Sequence, residues 1–518
     1  MVARSMSPGG ERIDVRAESE LMTVKRNLKW IAPVLIVLAA IVLFRYLGRG
    51  VDGGGPVLIC CGGAREVGGS CHLVETGDVR FIVDCGDRGG AGTGVLPPSP
   101  ETLSFVLLTH AHSDHCGFLP ELYGSGFEGP VYCTGPTAEL APVMLKMKRS
   151  TAWRGDSHGD YDGALGGITP VSFDSVVVDA GISFRFKRAG HLLGAASIEV
   201  WVPSGQRTVK IVFSGDLGSS NLVLVPPPAC IGNAEYVVME STYGGTVRDG
   251  GTDEAAGRRR EFAADVGEAL GAGGDVLVPA FALGRTQEIL AVINRFVGEG
   301  LIPSGTEVYV DSPTAKEITA IYRLMRGELS AWAREFYGER ILRFPGLREV
   351  SSRTSMKVHA RRHPASIFVS TSGDLGYASS PRHLMKMFGD PRNLLCIVGW
   401  QAPGSTGRRL AEGLNPVPVR YRESGELRYD WIAPLLAVKR YGCFSGHADQ
   451  DGLLAWLRCM QGVKRVYLVH GEPDQMEALA VRITEESGID VVIPRAGERY
   501  TLDAARAPAP CGGVVDGP

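Results

Sequence analysis

The chain has 518 residues, of which 44% are hydrophobic and 21% are charged, and its formal net charge is −3. These values are typical of a globular protein with two or three domains, and they exclude an overall basic surface that binds nucleic acid by charge alone. The 11 cysteines, from Cys60 to Cys511, include no C-x-x-C pair, so no cysteine zinc ribbon is expected. Several lie in apolar runs, and we expect buried, reduced thiols in a reducing compartment.

The first strong pattern along the chain is an apolar segment, residues 30–47, which carries one charged residue, Arg45. As a helix, about 18 residues span roughly 27 Å, just enough for a thin bilayer. We therefore predict a single transmembrane helix at 30–47, between a disordered segment at 1–29 and a linker at 48–55. The alternative is a hydrophobic helix packed on the body. Membrane association with a cytoplasmic body, which the free cysteines favour, is preferred over a soluble cytoplasmic protein, although the positive-inside rule leans weakly to the N-terminus inside.

Beyond residue 56, short apolar runs repeatedly end in an acidic residue or a histidine. Such runs are typical of buried strands. If these strands lie in sheets, the polar residues line one rim, where loops on a rigid scaffold build functional sites. Five residues occupy these positions: Asp84, His110, Asp216, Glu240 and His470.

The segment from residue 245 to residue 436 has a different sequence pattern, in which apolar strands alternate with amphipathic helices. Residues 275–279 and 367–370 are two such strands, and the alternation predicts parallel α/β units. We predict a second α/β domain inserted between two parts of the first. The predicted boundaries are 56–244 and 437–503 for the two parts of the first domain, 245–436 for the insertion and 504–518 for a loose tail.

The most informative motif is the loop after the apolar run at residues 106–108, where three imidazoles and a carboxylate fall within six residues. Histidine and aspartate are suitable zinc ligands, and two neighbouring pairs in one loop indicate two metal ions. A carboxylate that accepts a hydrogen bond from the far side of a ligand ring commonly holds such ligands in place. The candidates are His110 and His112 for one ion, Asp114 and His115 for the other, His191 and Asp216 as further ligands, and Asp84 as the residue that holds the loop.

Two more histidines, His447 and His470, lie far downstream of this loop. A histidine with a carboxylate partner can act as the general acid that protonates a departing oxygen. Glu240 is the candidate partner of His447. Taken alone, each of these histidines is more often structural.

These motifs resemble those of the metallo-β-lactamase superfamily. The stretch His110-Ala111-His112-Ser113-Asp114-His115 is similar to its H-x-H-x-D-H signature. Asp84, His191 and Asp216 resemble the rest of its ordered motif set. The resemblance covers about residues 56–502.

The remaining motifs resemble those of the β-CASP branch, the nucleases of this superfamily. Glu240, His447 and His470 match its motifs A, B and C, and residues 279–285 and 399–408 resemble signatures of its inserted domain. The resemblance implies an α/β fold: a four-layer αβ/βα metallo-β-lactamase sandwich with an inserted α/β β-CASP domain.

The resemblance also implies a role for each site residue and two zinc ions as cofactors. The implied roles are one zinc on His110, His112 and His191, the other on Asp114, His115 and His470, a bridging Asp216, and His447 as general acid oriented by Glu240.

The implied activity is that of a zinc-dependent endoribonuclease, which hydrolyses RNA phosphodiester bonds by a two-metal mechanism in RNA processing or decay. A histidine at the position of His470 marks the RNA-acting members, whereas the DNA-repair members have a valine there. The alternatives are a DNA nuclease of the same branch and a non-catalytic RNA-binding scaffold subunit. The large insertion argues against a small-molecule hydrolase. The expected partner is single-stranded RNA, and a homodimer is left open.

Contacts to RNA phosphates are expected at a Gly-rich turn. Ser405, Thr406 and Arg408 are the candidates, because the turn offers backbone N–H groups and a cation. The turn at 370–376 departs from the family's pattern and puts the acid Asp374 near the expected RNA path.

Overall fold

The structure is a computed structural model. It describes residues 55–88, 95–151, 159–248, 251–350, 352–359, 364–423 and 425–502. These residues belong to one compact unit that begins at Gly55. The predicted segments at 1–29, 30–47 and 504–518 lie outside the described residues.

The first sheet has seven strands in the order β22-β1-β2-β3-β4-β5-β6. Strands β1, β2 and β3 form an antiparallel meander, and β3 then runs parallel to β4. The strands are β1 (Val57–Gly62), β2 (Cys71–Thr76), β3 (Val79–Val83), β4 (Phe105–Leu107), β5 (Val131–Thr134), β6 (Ile168–Val171) and β22 (Arg499–Thr501).

The second sheet also has seven strands, in the order β21-β20-β11-β10-β9-β8-β7. Its centre, β10, β11 and β20, is parallel, and these strands are almost wholly buried. The strands are β7 (Val176–Asp179), β8 (Ile182–Arg188), β9 (Ala196–Ser204), β10 (Arg207–Phe213), β11 (Tyr236–Glu240), β20 (Arg465–Val469) and β21 (Asp490–Val492).

The two sheets pack face to face through an apolar core. In the first sheet, the ring centroids of Phe105 and Phe81 are 5.0 Å apart. The ring of Phe105 also lies 5.5 Å from that of Phe184, which belongs to the second sheet. Side chains from alternate positions of both sheets complete this core, as expected for stacked sheets with one buried face each.

Helices cover both outer faces of the sheet pair. Trp456 and Leu479, from the last two helices, pack on the second sheet beside Val237. The predicted four-layer αβ/βα sandwich is therefore confirmed. Its helices are α1 (Ser113–Cys116), α2 (Leu119–Gly124), α3 (Gly135–Thr151), α4 (Tyr161–Gly166), α12 (Gln450–Arg458) and α13 (Pro473–Ser487).

The inserted domain is built on a third sheet in the order β14-β13-β15-β12-β16-β19, whose strands all run parallel. This confirms the predicted parallel α/β units, whereas the boundary residues 245 and 436 stay a prediction. The strands are β12 (Val276–Pro279), β13 (Val308–Asp311), β14 (Leu347–Val350), β15 (Ile367–Ser370), β16 (Leu394–Ile397) and β19 (Ala437–Arg440).

A separate hairpin of two strands, β17 (Val417–Glu423) and β18 (Glu426–Ile432), joins this domain. The helices between residues 245 and 436 are α5 (Gly251–Gly271), α6 (Arg285–Gly298), α7 (Pro313–Leu324), α8 (Ala331–Tyr337), α9 (Ser352–His359), α10 (Ser380–Met387) and α11 (Thr406–Ala411). The start of α6 is defined by Gln287, whose Oε1 accepts the backbone N–H of Gly284 at 2.8 Å.

The predicted membrane association is corrected. Among the residues that the structure describes, no helix is long and apolar enough to cross a bilayer. A span needs about 20 mainly apolar residues, whereas the long helix α5 carries Arg258, Arg259 and Arg260. The segment 30–47, on which the prediction rested, lies outside the described residues.

The cysteines agree with the prediction at eight positions and depart from it at one pair. Within the described part of the chain the free thiols, all buried, are those of Cys60, Cys61, Cys71, Cys85, Cys116, Cys133, Cys396 and Cys443. Cys230 and Cys459, in contrast, form a disulfide across 229 positions of the chain, with their Cα atoms 5.5 Å apart. No sequence spacing indicated this pair, because only the packing of α12 beside the loop before β11 brings the two residues together.

Candidate metal centre

Five strands end at one edge of the sandwich. Parallel neighbours have their carboxyl ends on the same side, which applies to β3 and β4 in one sheet and to β10, β11 and β20 in the other. The polar residues at these ends are Asp84, His110, Asp216, Glu240 and His470.

Two of these residues have a positive φ, a left-handed backbone conformation that residues other than glycine usually avoid. Asp84 has φ 62° and His470 has φ 49°, which costs each residue about 1 kcal/mol or more. Backbone hydrogen bonds fix both turns: the Asp84 N–H donates to Leu107 at 2.9 Å, and the His470 N–H donates to Gly63 at 2.7 Å. Strain of this kind is common where a site requires one side-chain direction.

The first group of possible metal ligands is His110, His112, His191 and Asp216, whose ligand atoms lie within 4.8 Å of one another. Asp216 Oδ2 is 3.5 Å from His110 Nε2 and 3.7 Å from His191 Nε2. His112 Nδ1 lies 3.1 Å and 3.2 Å from the same two nitrogens. Four donor atoms thus converge on one point.

The second group is Asp114, His115 and His470, again within 4.8 Å. His470 Nε2 lies 3.3 Å from Asp114 Oδ2. The other oxygen of Asp216, Oδ1, is 3.2 Å from His115 Nε2 and 3.6 Å from His470 Nδ1. Asp216 therefore turns one oxygen to each group, the arrangement that a bridging ligand requires.

The donor set fits divalent metal ions. His115 Nε2 and Asp216 Oδ1 are buried, and neither has a hydrogen-bond partner among the described residues. An unsatisfied buried polar atom costs about 1–3 kcal/mol, and a cation between the two atoms would satisfy both. Imidazole nitrogens and carboxylate oxygens are the ligands that zinc takes.

Hydrogen bonds behind the rings aim the ligand atoms. His115 Nδ1 donates to Asp84 Oδ2 at 2.7 Å. His191 Nδ1 donates to the carbonyl of Gly446 at 3.0 Å, and His112 Nε2 donates to the carbonyl of Leu283 at 3.3 Å. With these protons used, the nitrogens of His112 and His191 that face the centre carry lone pairs in neutral rings. Leu283 lies directly before α6, so the inserted domain itself orients a possible ligand.

A histidine and a carboxylate stand beside the two groups. His447 Nδ1 donates to Glu240 Oε1 at 3.0 Å, which leaves His447 Nε2 free, 3.9 Å from Asp216 Oδ2. Glu240 is buried, and the backbone N–H groups of Leu217 and Thr242 donate to its two oxygens at 2.7 and 3.2 Å. This arrangement is the one expected of a general acid, His447, and a carboxylate that orients it, Glu240.

Several further residues that hold this site were not predicted from the sequence. Thr109 donates its backbone N–H to Asp84 at 2.8 Å. Arg248 donates to the carbonyl of His447 at 2.9 Å while its guanidinium lies 4.1 Å from the ring centre of Tyr243. The carbonyls of Leu283 and Gly446 carry no side-chain signal at all. Only Thr109, next to the histidine loop, could have been found from its position in the sequence.

Three family models match the chain. They are the metallo-beta-lactamase superfamily over residues 64–280, the Beta-Casp domain over 286–410 and the Zn-dependent metallo-hydrolase RNA specificity domain over 433–494. The first two matches abut near the start of α6, where the inserted domain meets the sandwich.

Curated relatives match along most of the chain. Ribonuclease TTHA0252 of Thermus thermophilus is 35% identical over 450 residues, which are 84% of this chain and 98% of the relative. The chain belongs to the β-CASP branch of the metallo-β-lactamase superfamily. Transcription termination factor FttA of Methanocaldococcus jannaschii is 31% identical, over 79% of this chain and 66% of the relative. Integrator complex subunit 11 of Danio rerio is 27% identical, over 85% and 73%. This β-CASP protein is thus a member of a family of metal-dependent hydrolases.

Electrostatics divides the histidines of the β-CASP protein into two classes. Burial lowers the pKa of His110, of His112 and of His191 below the usual histidine value. These rings are therefore neutral at pH 7. Neutral imidazole is the form that binds metal.

The second group behaves in the opposite way in the metal-free protein. Burial opposes a charge on His115, but Asp216 and Asp84 outweigh it and raise its pKa well above the usual value. Against the same burial penalty, Asp216 and a hydrogen bond to Asp114 raise the pKa of His470 to about 9. Both rings therefore carry a second proton at pH 7, and a metal ion must displace it.

Metal binding is therefore expected to release about two protons at pH 7. Because the two pKa values are raised, both rings stay protonated as the pH falls, so metal affinity should fall as the pH falls through about 9, the pKa of His470. Calorimetric titration of zinc into the metal-free protein, in buffers of different ionisation enthalpy, counts the protons. A His470→Val variant should release about one fewer. An enthalpy independent of the buffer would contradict the prediction.

The residues predicted to contact RNA phosphates lie at the start of α11. Ser405 Oγ accepts the backbone N–H of Arg408 at 3.1 Å and so caps this helix, and Thr406 donates to the carbonyl of Pro418 at 2.8 Å. Arg408 pairs with Glu412 on the next turn. Their contact with RNA stays a prediction.

The acidic Asp374 has a local role in its own turn. Its Oδ1 accepts Ser372 Oγ at 2.6 Å and the backbone N–H of Gly376 at 3.0 Å. Two hydrogen bonds within the turn satisfy this carboxylate.

Proposed function

We propose that this protein is a zinc-dependent endoribonuclease that hydrolyses RNA phosphodiester bonds with two metal ions, in RNA processing or decay. The observation that carries the proposal is the position of Asp216. One of its oxygens faces His110 and His191, the other faces His115 and His470, and the His447–Glu240 pair stands within reach of the same point.

Two zinc ions, when bound, would supply an activated water and stabilise the charge on the reacting phosphoryl group. The chain supplies the positions around them. Asp216 would hold the two ions at a fixed separation. His447 Nε2 would donate a proton to the departing oxygen, because its other nitrogen is engaged by Glu240. The Glu240 carboxylate would keep the ring in that tautomer.

RNA is the proposed substrate for three reasons. The relative from Thermus thermophilus is named a ribonuclease. The family model over residues 433–494 is described as an RNA specificity domain. His470 occupies the position where the resemblance implies a histidine for the members that act on RNA. These reasons favour RNA over the alternative of a DNA nuclease.

The non-catalytic scaffold is the weaker alternative. A scaffold has no need for strained turns at Asp84 and His470, or for a buried carboxylate aimed at five histidines. The arrangement costs free energy and serves metal binding and catalysis.

The test is cleavage of end-labelled single-stranded RNA and DNA of one sequence by the zinc-loaded protein. We expect internal cuts in RNA and much slower cleavage of DNA. A preparation of Asp216→Asn, purified in parallel, controls for a contaminating nuclease. Equal rates on RNA and DNA would contradict RNA as the substrate, and absence of cleavage in both would contradict the nuclease proposal.

A further inference from the structure

The hairpin β17–β18 of the inserted domain has one face turned to solvent. Its strands pair antiparallel, so that Pro418 lies opposite Trp431, Arg420 opposite Tyr429 and Arg422 opposite Leu427. Because side chains alternate along a strand, these six share one side. We call this side the hairpin face: Pro418, Arg420, Arg422, Leu427, Tyr429 and Trp431.

The opposite side fixes the hairpin to the domain. Val417, Val419 and Ile432 are buried in a core that also contains Leu384 of α10 and Leu410 of α11. The hairpin face is therefore held outward by packing and is not free to turn inward.

Large aromatic side chains are exposed on the hairpin face. Tyr429 is 66% exposed, Trp431 is 68% exposed and Leu427 is 41% exposed. A contiguous exposed apolar patch of this kind commonly marks a binding surface. The rings lie on neighbouring alternate positions of β18, so successive planar groups could stack on them.

The charge on the hairpin face is positive. Arg420 and Arg422 are exposed, and neither has an ion-pair partner within the described part of the chain; the guanidinium of Arg420 lies 5.9 Å from the ring centre of Tyr429. The neighbouring acids belong to other pairs. Asp430 accepts a hydrogen bond from Tyr421, Glu426 pairs with Arg428, and Glu423 pairs with Lys386.

We propose that the hairpin face binds single-stranded RNA outside the cleavage site, with bases stacked on Trp431 and Tyr429 and phosphates paired with Arg420 and Arg422. Aromatic rings beside cations are the means by which proteins hold single strands without sequence preference. The inference rests on the proposed ribonuclease activity and deepens it by assigning a second contact with the same substrate.

Contacts connect the hairpin to the turn of Asp374. The carbonyl of Pro418 accepts the hydroxyl of Thr406 at 2.8 Å, and the carbonyl of Asp374 accepts the N–H of Gly407 at 2.9 Å. One short helix, α11, therefore separates the hairpin face from that turn.

The same turn adjoins the loop that reaches the metal centre. Gly373 packs closely on Phe281, two residues before Leu283, whose carbonyl accepts His112. Direct contacts therefore link the hairpin to the loop behind His112, so RNA bound on the hairpin face would be held on the same body as the metal centre.

A second copy of the chain fits this surface less well. A symmetric contact brings the same patch of both copies together. It would set Arg420 and Arg422 against their own counterparts, with no acid on the face to neutralise them. A polyanion has the complementary charge.

The test uses the full-length protein and a variant with Tyr429→Ala and Trp431→Ala. We expect fluorescence anisotropy to give affinity for a labelled oligouridylate of about 20 nucleotides that is lower by roughly tenfold per ring removed. Tyr429→Phe with Trp431→Phe should restore it, since both rings are kept. Arg420→Gln with Arg422→Gln should reduce the slope of log affinity against log salt by about one to two. Trp332→Ala, an exposed aromatic on α8 (38%), is the matched control and should bind normally.

An RNA-cleavage assay distinguishes RNA binding on the hairpin face from the proposed ribonuclease activity. The aromatic double variant should lose activity on RNA of about 30 nucleotides but cleave a strand of about six nucleotides, which fills no more than one such binding site, at the wild-type rate. Unchanged binding of oligouridylate would overturn the inference. So would a wild-type dimer that the double variant converts to monomers, because the face would then join two copies. If the wild type cuts no RNA but the double variant still binds oligouridylate more weakly, only the proposed function fails.

Discussion

Replacement of Asp216 by asparagine is expected to remove bound zinc and to lower the rate of RNA cleavage by about a thousandfold or more, since a catalytic metal contributes several kcal/mol to transition-state stabilisation. Asp216 faces both ligand groups, and its two oxygens are 3.5 Å from His110 and 3.2 Å from His115. An amide cannot offer two anionic oxygens. Both metal positions should therefore lose occupancy together, which elemental analysis of the purified variant measures.

A matched variant separates metal loss from a general effect of removing a buried carboxylate. Glu199 is as buried as Asp216, each being 2% exposed. It pairs with Arg185 and Lys210 on the same sheet, at 2.6 Å each. Glu199→Gln should lower the free energy of unfolding but keep zinc and activity. Normal zinc content in Asp216→Asn would refute the bridging role.

Replacement of His447 by glutamine is expected to lower kcat by about 10²- to 10⁴-fold, the usual contribution of general acid catalysis, while both metals stay bound. His447 has 16% of its side chain accessible, more than His110, His191 or His470, and one of its nitrogens is committed to Glu240. It lies 3.9 Å from Asp216 Oδ2, outside the two groups that bring the other histidines together. Single-turnover cleavage and zinc content measure the two effects separately.

A substrate with a better leaving group tests the same role directly. A bridging phosphorothiolate at the scissile bond leaves as a thiolate, which needs no proton. The His447→Gln variant should cleave this substrate at close to the wild-type rate, whereas Asp216→Asn should not. Glu240→Gln should behave like a weaker form of His447→Gln, because Leu217 can still donate to the remaining oxygen. Loss of zinc from His447→Gln would identify His447 as a ligand and refute the acid role.

Much of the fold could be predicted because its signals are local. Each buried strand of the sandwich is a short apolar run, and the polar residue that ends it stands next to it in sequence. The parallel strands of the inserted domain alternate with helices, and this order alone predicts parallel α/β units. The histidine loop combines four of the seven possible ligands within six residues, so one local stretch predicted most of the ligand set.

Other features depend on contacts that no local pattern encodes. The disulfide joins Cys230 to Cys459 only because α12 packs beside the loop before β11. The membrane prediction rested on apolar composition in residues 30–47 alone, and composition does not distinguish a span from other apolar segments. In the sequence, Leu427, Tyr429 and Trp431 alternate with polar residues, as on the buried side of an amphipathic strand. Only packing against the domain decides that the opposite side of the hairpin is covered.

The sequence by itself determined which side chains are available for metal chemistry and which strands carry them. The tertiary structure decided their arrangement: Asp216 between two groups of ligands, His447 on Glu240, and the carbonyl of Leu283 behind His112. The physical reason is that residue types and spacings are properties of the chain, whereas the directions of the ligand atoms of His112 and His191 depend on hydrogen bonds to residues 171 and 255 positions away.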